Sequence, residues 1–270
     1  MSALVVERVG PGVTVQDLGR PGWMHHAVPP GGALDPALFS RTQRSLGNGE
    51  RAAAVEIPWH AARFRASGAM VVSLDGELRS LGDGDVLDVL AIDRAVRYVG
   101  VRGGIDVPLA LGSRSTLLVA SLGGLDGRAL RKGDSLSIGH DIDGDARSLD
   151  AYALDASAPI EVVPGPDAFE ETSLDALVSK AFEVTTAVDR VGMRLRGEGV
   201  VPPGAATARS CPMVRGAIEV TPDGTLIALG PDHPVTGGYP VIAVIASRDL
   251  GALSQRRPGA AVRFTLRRER

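Results

Sequence analysis

The composition of the chain excludes a disordered protein, because 44% apolar and 23% charged residues are ordinary values for a globular fold. Its 270 residues exceed the usual size of one domain, so we expect two. A formal net charge of −3 excludes a general attraction for nucleic acid or for an acidic membrane surface.

Short apolar segments bounded by Gly, Pro or Asp predict a chain made mainly of β-strands. Val, Ile and Leu dominate these segments, as they do in strands with one or two buried faces. In chain order the segments lie at 3–9, 70–74, 86–92, 97–101, 115–122, 160–163, 217–220 and 241–247. The regular alternation of strands and helices that builds a parallel sheet is missing, so we expect closed barrels or sandwiches.

Three strand segments share a pattern in which Gly is followed three and five residues later by an apolar residue. In a strand this spacing points both apolar side chains to the same face. The pattern occurs in GDVLDV (84–89), GDSLSI (133–138) and GAAVRF (259–264). It indicates similar strand hairpins that are reused around the barrels.

Helical patterns are few and short. They lie at 36–47, 173–182 and 247–259. In the first, Asp35 stands at the N-cap, Pro36 at the first helical position and Gly47 at the stop. The second opens on Ser173 and places its apolar residues along one face, and the third ends at Pro258. We therefore expect a mainly β chain with a few short helices.

The segment 140–163 has no clear period before its last residues and is the expected passage between the two domains. We accordingly predict one domain at 1–150 and a second at 151–270, with segments that can interleave. The DIDGD sequence within this passage lacks the glutamate that a calcium loop needs at its twelfth position, so we expect no metal site here.

The single cysteine and the N-terminal sequence predict a cytoplasmic protein. Cys211 has no partner for an intrachain disulfide or a multi-cysteine metal site, and a small, partly buried side chain is the expected role. The segment MSALVVERVGPG lacks the features of a secretory signal, and no apolar run approaches the length of a membrane span.

The segment DLGRPGWMHHAVPPGGALDP (17–36) combines four glycines and four prolines with ionisable and aromatic side chains. A flexible linker would have few such side chains, so we expect a shaped loop that presents chemistry. His25 and His26 either serve as ligands or acid–base groups, or hold the loop to itself. Adjacent histidines in an extended loop point apart, which argues against joint chelation of a metal.

Two further segments pair glycines with polar side chains. In HPVTGGYPVIAV (233–244) the Gly-Gly pair either exposes backbone N–H groups to an anion or carbonyl oxygen, or forms a tight hairpin. In RGGIDVPLALGSRST (102–116) Arg114 either binds a carboxylate or phosphate, or neutralises Asp106. GxxxxGK[ST], GxGxxG, HExxH and GxSxG motifs are absent from the sequence.

Six blocks of the sequence, in one order from about residue 4 to residue 266, resemble the KipA family. This family is also called allophanate hydrolase subunit 2 or the 5-oxoprolinase C subunit (PxpC), and it is similar to the A/B half of the urea carboxylase carboxyltransferase domain. The blocks are TVQDLGRPGWMHHAVPPGGALDP, LGNGERAAAVEI, GGIDVPLALGSRST, GGLDGRAL, DRVGMRL and TGGYPVIAVIASRDLGALSQRRPGAAVRF.

The resemblance implies two cyclophilin-like β-barrel domains with a cleft between them. It also implies a cytosolic complex with a KipI-like subunit and, in the 5-oxoprolinase case, a LamB/YcsF-like subunit. Such a complex couples ATP hydrolysis to opening the lactam of 5-oxoproline, a small amide, and this chain would be inactive alone.

Two other functions are implied by the same resemblance. One is a biotin-dependent carboxyltransferase of the allophanate and urea pathway, which would need a separate biotin carrier because the chain has no Met-Lys acceptor motif. The other is a non-catalytic protein that sequesters a KipI-like kinase inhibitor.

Carried onto matching positions, the family pattern implies four catalytic residues and a larger substrate-binding set. The catalytic residues are His25, Asp35, Asp232 and Tyr239. The substrate-binding residues are Asp17, Arg20, Trp23, Asn48, Glu56, Arg114, Asp189, Arg190, Thr236, Gly237 and Gly238. An amide substrate needs donors at its carbonyl oxygen, here Thr236, Gly237 and Gly238, and an acceptor or base at its nitrogen.

The chain departs from the family pattern near the TGGYP block. Pro234 and Val235 stand where Gln and Thr are usual, and Val241 stands where Lys is common. Met193 replaces the tyrosine of the DRMGYRL pattern, and PWHAAR follows Glu56 in place of a glycine-rich sequence. The changes near TGGYP remove hydrogen-bond donors from this part of the implied site.

Overall fold

The computed structural model describes residues 2–91, 94–150, 152–153, 155, 157–203 and 210–267. The chain divides into two compact units. Unit 1 consists of Met1–Gly22 and Pro30–Ala153, and unit 2 consists of Trp23–Pro29 and Leu154–Arg270. The segment Trp23–Pro29 thus groups with unit 2, although the chain on either side of it groups with unit 1. The domain boundary between residues 150 and 151 stays a prediction.

Unit 1 is built from two antiparallel sheets and one helix within its described residues. Its strands are β1 (Ala3–Arg8), β2 (Thr14–Gln16), β3 (Ala54–Pro58), β4 (Ala62–Ser67), β5 (Met70–Leu74), β6 (Glu77–Leu81), β7 (Val86–Val89), β8 (Val96–Val101) and β9 (Ser135–Ser137). The strand orders are β7-β4-β1-β9 and β2-β3-β8-β5-β6. Both sheets contribute buried side chains to one core, among them Leu4, Phe64, Val72 and Val99.

Helix α1 (Pro36–Leu46) of unit 1 confirms the predicted caps. The Asp35 carboxylate accepts a hydrogen bond from the Leu38 N–H at 3.1 Å, Pro36 opens the helix, and Gly47 ends it with a φ of 64°. The helix buries Phe39 edge-on against the Tyr98 ring, with 5.7 Å between the ring centroids. This packing holds α1 against β8 next to the loop that precedes it.

Unit 2 contains a barrel that closes in the order β10-β17-β14-β15-β12-β11-β18 within its described residues. Its strands are β10 (Ile160–Pro164), β11 (Ala181–Val188), β12 (Gly192–Arg196), β13 (Cys211–Pro212), β14 (Ala217–Val220), β15 (Leu226–Leu229), β16 (Thr236–Gly237), β17 (Val241–Ile245) and β18 (Ala261–Leu266). Parallel pairing of β10 with β18 closes the ring, and β13 pairs with β16 outside it. The mainly β architecture is as predicted.

Two short helices complete unit 2, α2 (Glu171–Ser179) and α3 (Leu250–Ser254). Helix α2 begins at Glu171, two residues before the predicted start. Ser173 therefore lies inside the helix and not at its N-cap. Its hydroxyl instead binds the backbone of Val201, donating to the carbonyl at 3.2 Å and accepting from the N–H at 3.1 Å. The third predicted helix is split, since Ser247–Asp249 is a 3₁₀ turn that leads into α3.

The predicted strand at 115–122 is wrong. Residues Leu118–Ala120 form a 3₁₀ turn, and Ser121 adopts a left-handed backbone with a φ of 48°. Leu117 is buried, but the residues after it, Leu118 and Val119, are exposed, so the second half of this run has no buried face on which strand pairing could be built. A short apolar run alone does not determine whether a segment is a strand.

The repeated glycine pattern is confirmed as strand starts at all three places. GDVLDV, GDSLSI and GAAVRF lead into β7, β9 and β18. The residues at the third and fifth positions after glycine, such as Leu87, Val89, Val262 and Phe264, are buried. Within the part of the chain that the structure describes, no helix is both long and apolar enough to cross a lipid bilayer.

Candidate functional site

Asp17 lies at the start of the glycine- and proline-rich loop in unit 1 and is 4% exposed. Its Oδ1 accepts hydrogen bonds from the Gly19 N–H at 2.7 Å and from the hydroxyls of Ser113 and Ser115 at 2.6 Å. Its Oδ2 accepts from the Arg114 N–H at 2.6 Å. Four donors around one buried carboxylate bind the loop to the segment 113–115.

Arg20 extends the same connection. Its side chain is buried, with Nη2 donating to the Ser115 carbonyl and Nε donating to the Ala110 carbonyl at 3.3 Å. The loop is also closed on itself, because the Arg20 N–H donates to the Pro30 carbonyl at 2.7 Å. Gly19, with a φ of 84°, allows this approach, since a Cβ there would lie 2.5 Å from the same oxygen. The segment is therefore the shaped loop that its composition predicts.

Arg114 is partly buried and lines a cavity of about 290 Å³. Its Nε donates to the Val107 carbonyl at 3.2 Å, and its Nη2 lies 3.5 Å from an Asp106 carboxylate oxygen. The structure thus shows the neutralising contact, while binding of a ligand carboxylate or phosphate stays a prediction. The cavity is also lined by Gly103, Gly104, Asp106, Gly139, His140 and Asp141, among others.

Asn48 holds the Gly-Gly turn at this cavity. Its Nδ2 donates to the Gln43 side-chain oxygen and to the Val101 carbonyl, both at 2.8 Å. Its Oδ1 accepts from the Gly103 N–H at 2.8 Å. Asn48 is buried, and these bonds use both ends of its side-chain amide.

Glu56 and Asp35 are fully buried where the loop enters α1. Glu56 Oε2 accepts hydrogen bonds from the Leu34 N–H and the Tyr98 hydroxyl, both at 2.7 Å. The Tyr98 hydroxyl in turn accepts from the Asp35 N–H at 2.9 Å. Burial and the nearby Glu56 carboxylate raise the pKa of Tyr98 well above its usual value. This network fixes the start of the helix, and Asp35 itself is the N-cap.

The paired histidines lie in the part of the loop that groups with unit 2. Met24–His26 form a 3₁₀ turn that ends at Ala27 with a φ of 59°. The rings of His25 and His26 are exposed, with 4.1 Å between their centroids, and Trp23 lies 5.7 Å from His26. The expectation that the two histidines lie in an extended loop and point apart is therefore wrong, because the 3₁₀ turn places their rings side by side. His25 is accessible to a ligand.

Arg190 and Asp232 form a buried ion pair in unit 2. The guanidinium Nε and Nη2 donate to the two carboxylate oxygens at 2.8 and 2.9 Å, which is a bidentate arrangement. The Asp232 N–H also donates to the Arg190 carbonyl at 3.0 Å. The neighbouring Asp189 is exposed and accepts from the N–H groups of Val191 and Gly192 at 2.8 and 3.0 Å, so it stabilises the turn before β12.

The TGGYP block begins in strand β16, which pairs with β13 in unit 2. Thr236 and Gly238 are exposed, and Tyr239 is 43% exposed. Gly237 lies against Glu219 and Met213, because a Cβ at position 237 would lie 2.5 Å from Glu219 Oε1 and 2.6 Å from Met213 Cε. The glycine at this position is required by close packing.

Sequence reasoning missed two buried titratable side chains beside this block. Burial lowers the pKa of His233, whose Nδ1 lies 2.7 Å from the Pro234 carbonyl. Since a carbonyl only accepts, Nδ1 carries the proton in that contact, which leaves Nε2 as an acceptor. Burial also raises the pKa of Glu219 in β14. Two sequence signals could have found them: His233 directly precedes Pro234, and the alternation in AIEV puts Glu219 on the face opposite Ile218 and Val220.

The residues implied by the family pattern thus fall into two groups. Buried residues with hydrogen bonds or ion pairs to their own unit are Asp17, Arg20, Asp35, Asn48, Glu56, Arg190 and Asp232. Exposed residues are His25, Asp189, Thr236, Gly238 and Tyr239, with Trp23, Arg114 and Gly237 partly exposed. All assigned roles, including catalysis by His25, Asp35, Asp232 and Tyr239, stay predictions.

Cys211 is partly buried, as predicted. It lies in β13 opposite Gly237 of β16. It therefore belongs to the two-stranded element that carries the start of the TGGYP block.

Curated proteins are similar in sequence to nearly the whole chain. The C subunit of 5-oxoprolinase from Escherichia coli (strain K12) is 31% identical over 97% of this chain and 90% of its own length. The urea amidolyase of Lachancea kluyveri is 30% identical over 97% of this chain but only 17% of its own length. The chain therefore spans most of the first relative and less than one fifth of the second.

A solved structure and a family model agree with these relatives. The crystal structure of the K. lactis urea amidolyase is similar over 97% of this chain and 18% of its own, with a TM-score of 0.89 and 27% identity. The model of the family "Carboxyltransferase domain, subdomain A and B" matches residues 26–266. Because this family model matches most of the residues, the chain belongs to the family of the carboxyltransferase domain, subdomain A and B.

Proposed function

We propose that this chain is a subunit of an ATP-dependent amidohydrolase complex that opens the lactam of 5-oxoproline to glutamate. The observation that carries the proposal is the match to the C subunit of a 5-oxoprolinase over 90% of that relative's length. The urea amidolyase matches cover only a small part of a larger protein, so they favour a shared domain more than a shared overall activity.

The exposed polar residues of unit 2 suit an amide substrate. Thr236 and Tyr239 carry hydroxyl groups that donate hydrogen bonds to a carbonyl oxygen. The His25 imidazole is an acceptor or a proton carrier near neutral pH. Because all three side chains are at least partly accessible, a small ligand can reach them without rearrangement of the barrel.

We place ATP in the assembled complex, with a KipI-like subunit as the partner and a LamB/YcsF-like subunit as a further member, in the cytoplasm. The chain has no GxxxxGK[ST] motif. A surface groove of about 490 Å³ among the described residues is lined by several basic side chains and by Glu7. Two of these basic residues are already paired, Arg63 with Asp88 and Arg65 with Glu7. Two of its arginines are thus already neutralised and an acidic side chain lies among them, so this groove suits the triphosphate of a nucleoside triphosphate poorly.

A second candidate, a carboxyltransferase step, is supported by the name of the family and by the similarity to urea amidolyase. It requires a separate biotin carrier, because no Met-Lys pair occurs in the sequence. The K. lactis structure contains the matching region as 18% of a much longer chain.

The test is co-expression of this chain with a KipI-like and a LamB/YcsF-like protein, followed by an ATP hydrolysis assay. We expect ADP and glutamate to form together only when all three proteins and 5-oxoproline are present. A stable complex that hydrolyses no ATP with 5-oxoproline contradicts the proposal. Carboxyl transfer to urea from an added biotinylated carrier would support the second candidate instead.

Variants of the same complex distinguish a catalytic subunit from a protein that only sequesters a KipI-like protein. Substitution of the exposed residues His25, Thr236 and Tyr239 is expected to abolish turnover while co-purification persists. A wild-type complex that forms but turns over no amide substrate would identify a binding protein.

A further inference from the structure

Glu219 lies on the outer face of the unit 2 barrel, in an apolar environment. Its neighbours in β14, Ile218 and Val220, point into the barrel core, so Glu219 points outward with Ala217. Its cross-strand partners are Ile227 of β15 and Val241 of β17. The carboxyl group is thus surrounded by aliphatic side chains on its own sheet.

The β13–β16 pair covers this face. Met213 follows β13 and is buried in the same apolar cluster as Ala217 and Val241. A Cβ at Gly237 of β16 would lie 2.5 Å from Glu219 Oε1, so the carboxyl group is in contact with the first glycine of the TGGYP block. As a result Glu219 is only 6% exposed.

The Glu219 carboxyl makes no hydrogen bond or ion pair with any residue that the structure describes. Burial of an ionised carboxylate without a hydrogen-bond or charge partner is strongly unfavourable, because the ion loses its hydration. Burial is also the cause that raises the pKa of Glu219. Burial and the missing partner therefore favour the neutral acid more than water does for an exposed glutamate.

Few titratable groups lie near Glu219 to change that preference. Cys211 is the titratable side chain of β13, and β15, β16 and β17 contribute none. His233, in the turn before β16, is itself held neutral by burial, which lowers its pKa. No charged side chain of these strands compensates a Glu219 carboxylate.

We propose that Glu219 is a proton donor of this site, and that it protonates the nitrogen of the substrate amide when the ring opens. The proposal rests on the proposed function, because the amide is the lactam of 5-oxoproline. The position supports it: Glu219 contacts Gly237, which lies between the exposed Thr236 and Gly238.

The proton and electron balance of the step is simple. Water adds its oxygen to the carbonyl carbon, the C–N bond breaks, and the electron pair of that bond stays on nitrogen. The Glu219 O–H bond breaks and its proton forms the new N–H bond. The proton released by the water returns to the Glu219 carboxylate, which restores the acid.

The first test compares Glu219→Gln with wild type in the assembled complex. The amide of Gln keeps the shape and a hydrogen-bond donor but carries no transferable proton. We expect kcat to fall about a hundredfold, within the usual contribution of a positioned general acid, while KM for 5-oxoproline changes less than about threefold. The matched control is Glu183→Gln, an exposed residue of the same barrel, which should retain wild-type kcat.

A second measurement does not depend on activity. The infrared spectrum of the full chain at neutral pH should contain a protonated carboxylic acid band that disappears in Glu219→Gln and persists in Glu183→Gln. Absence of that band overturns the proton donor, and so does wild-type kcat in Glu219→Gln while the wild-type complex is active. If the wild-type complex has no 5-oxoproline-dependent turnover, the proposed function fails and the donor role fails with it.

Discussion

Replacement of Asp17 by Ala is expected to lower the free energy of unfolding of unit 1 by about 3–5 kcal/mol. The carboxylate accepts four short hydrogen bonds in a buried position, and hydrogen bonds to a charged group contribute about 1.5–3 kcal/mol each. Removal leaves the hydroxyls of Ser113 and Ser115 and the Arg114 N–H without their acceptor. Water entering the cavity satisfies part of this loss, so the total is smaller than the sum of the four bonds.

Urea unfolding followed by circular dichroism measures this change, with hydrogen exchange of amides in unit 1 to assign it to that unit. Asp106→Ala is the matched control, because Asp106 is 58% exposed and lies 3.5 Å from the neighbouring Arg114 guanidinium. An exposed pair of this kind contributes about 0–1 kcal/mol. Similar losses in both variants would show that the Asp17 network does not hold the loop.

Replacement of Arg190 by Met is expected to lower the stability of unit 2 by about 3–5 kcal/mol, because it leaves the buried Asp232 carboxylate unpaired. The double variant Arg190→Met with Asp232→Leu should recover much of this loss, since an apolar pair removes both charges from the interior. Urea unfolding of wild type, the two single variants Arg190→Met and Asp232→Leu, and the double variant gives the coupling free energy.

The same barrel contains a matched control for this ion pair. Arg196 and Glu183 lie 3.1 Å apart on the surface, with side chains 70% and 50% exposed. Arg196→Met should therefore change stability by less than about 1 kcal/mol. If Arg190→Met is as mild as Arg196→Met, the buried pair is not what joins the turn before β12 to the segment that contains Asp232.

Local sequence signals predicted the elements whose determinants are themselves local. Asp35, Pro36 and Gly47 bound α1 because capping depends on a few adjacent residues. The glycine pattern located β7, β9 and β18 for the same reason. The strand prediction for the apolar run 115–122 failed, because Leu118–Ala120 form a 3₁₀ turn with exposed side chains and Ser121 is left-handed.

The state of the candidate residues could not be predicted, because it depends on contacts distant in sequence. The Asp17 carboxylate accepts hydrogen bonds from the hydroxyls of Ser113 and Ser115, which lie nearly one hundred positions later in the sequence. The alternation within β14 predicts that Glu219 is exposed. It is buried because the β13–β16 pair covers it, and the periodicity of the sequence does not predict where that pair packs. The family resemblance named Asp17, Arg190 and Asp232 as site residues without indicating that each is held in a buried network.

The structure leads to one central claim about the candidate site. We propose that buried residues with hydrogen bonds or ion pairs of their own, such as Asp17 and Asp232, hold the scaffold. Exposed residues such as His25 and Tyr239, together with the buried Glu219, which has no partner among the described residues, would act on the ligand. Substitution of the first group should mainly change stability, and substitution of the second should mainly change turnover.

Tyr239→Phe in the assembled complex tests this claim most directly, because it removes one hydroxyl and keeps the ring. The account predicts a fall in kcat of about tenfold or more, with the free energy of unfolding unchanged within about 0.5 kcal/mol. Tyr152→Phe, a half-buried tyrosine of unit 1 beneath Arg94, is the control and should keep wild-type kcat. Wild-type turnover in Tyr239→Phe, or a loss of turnover explained by a loss of stability, would contradict the account.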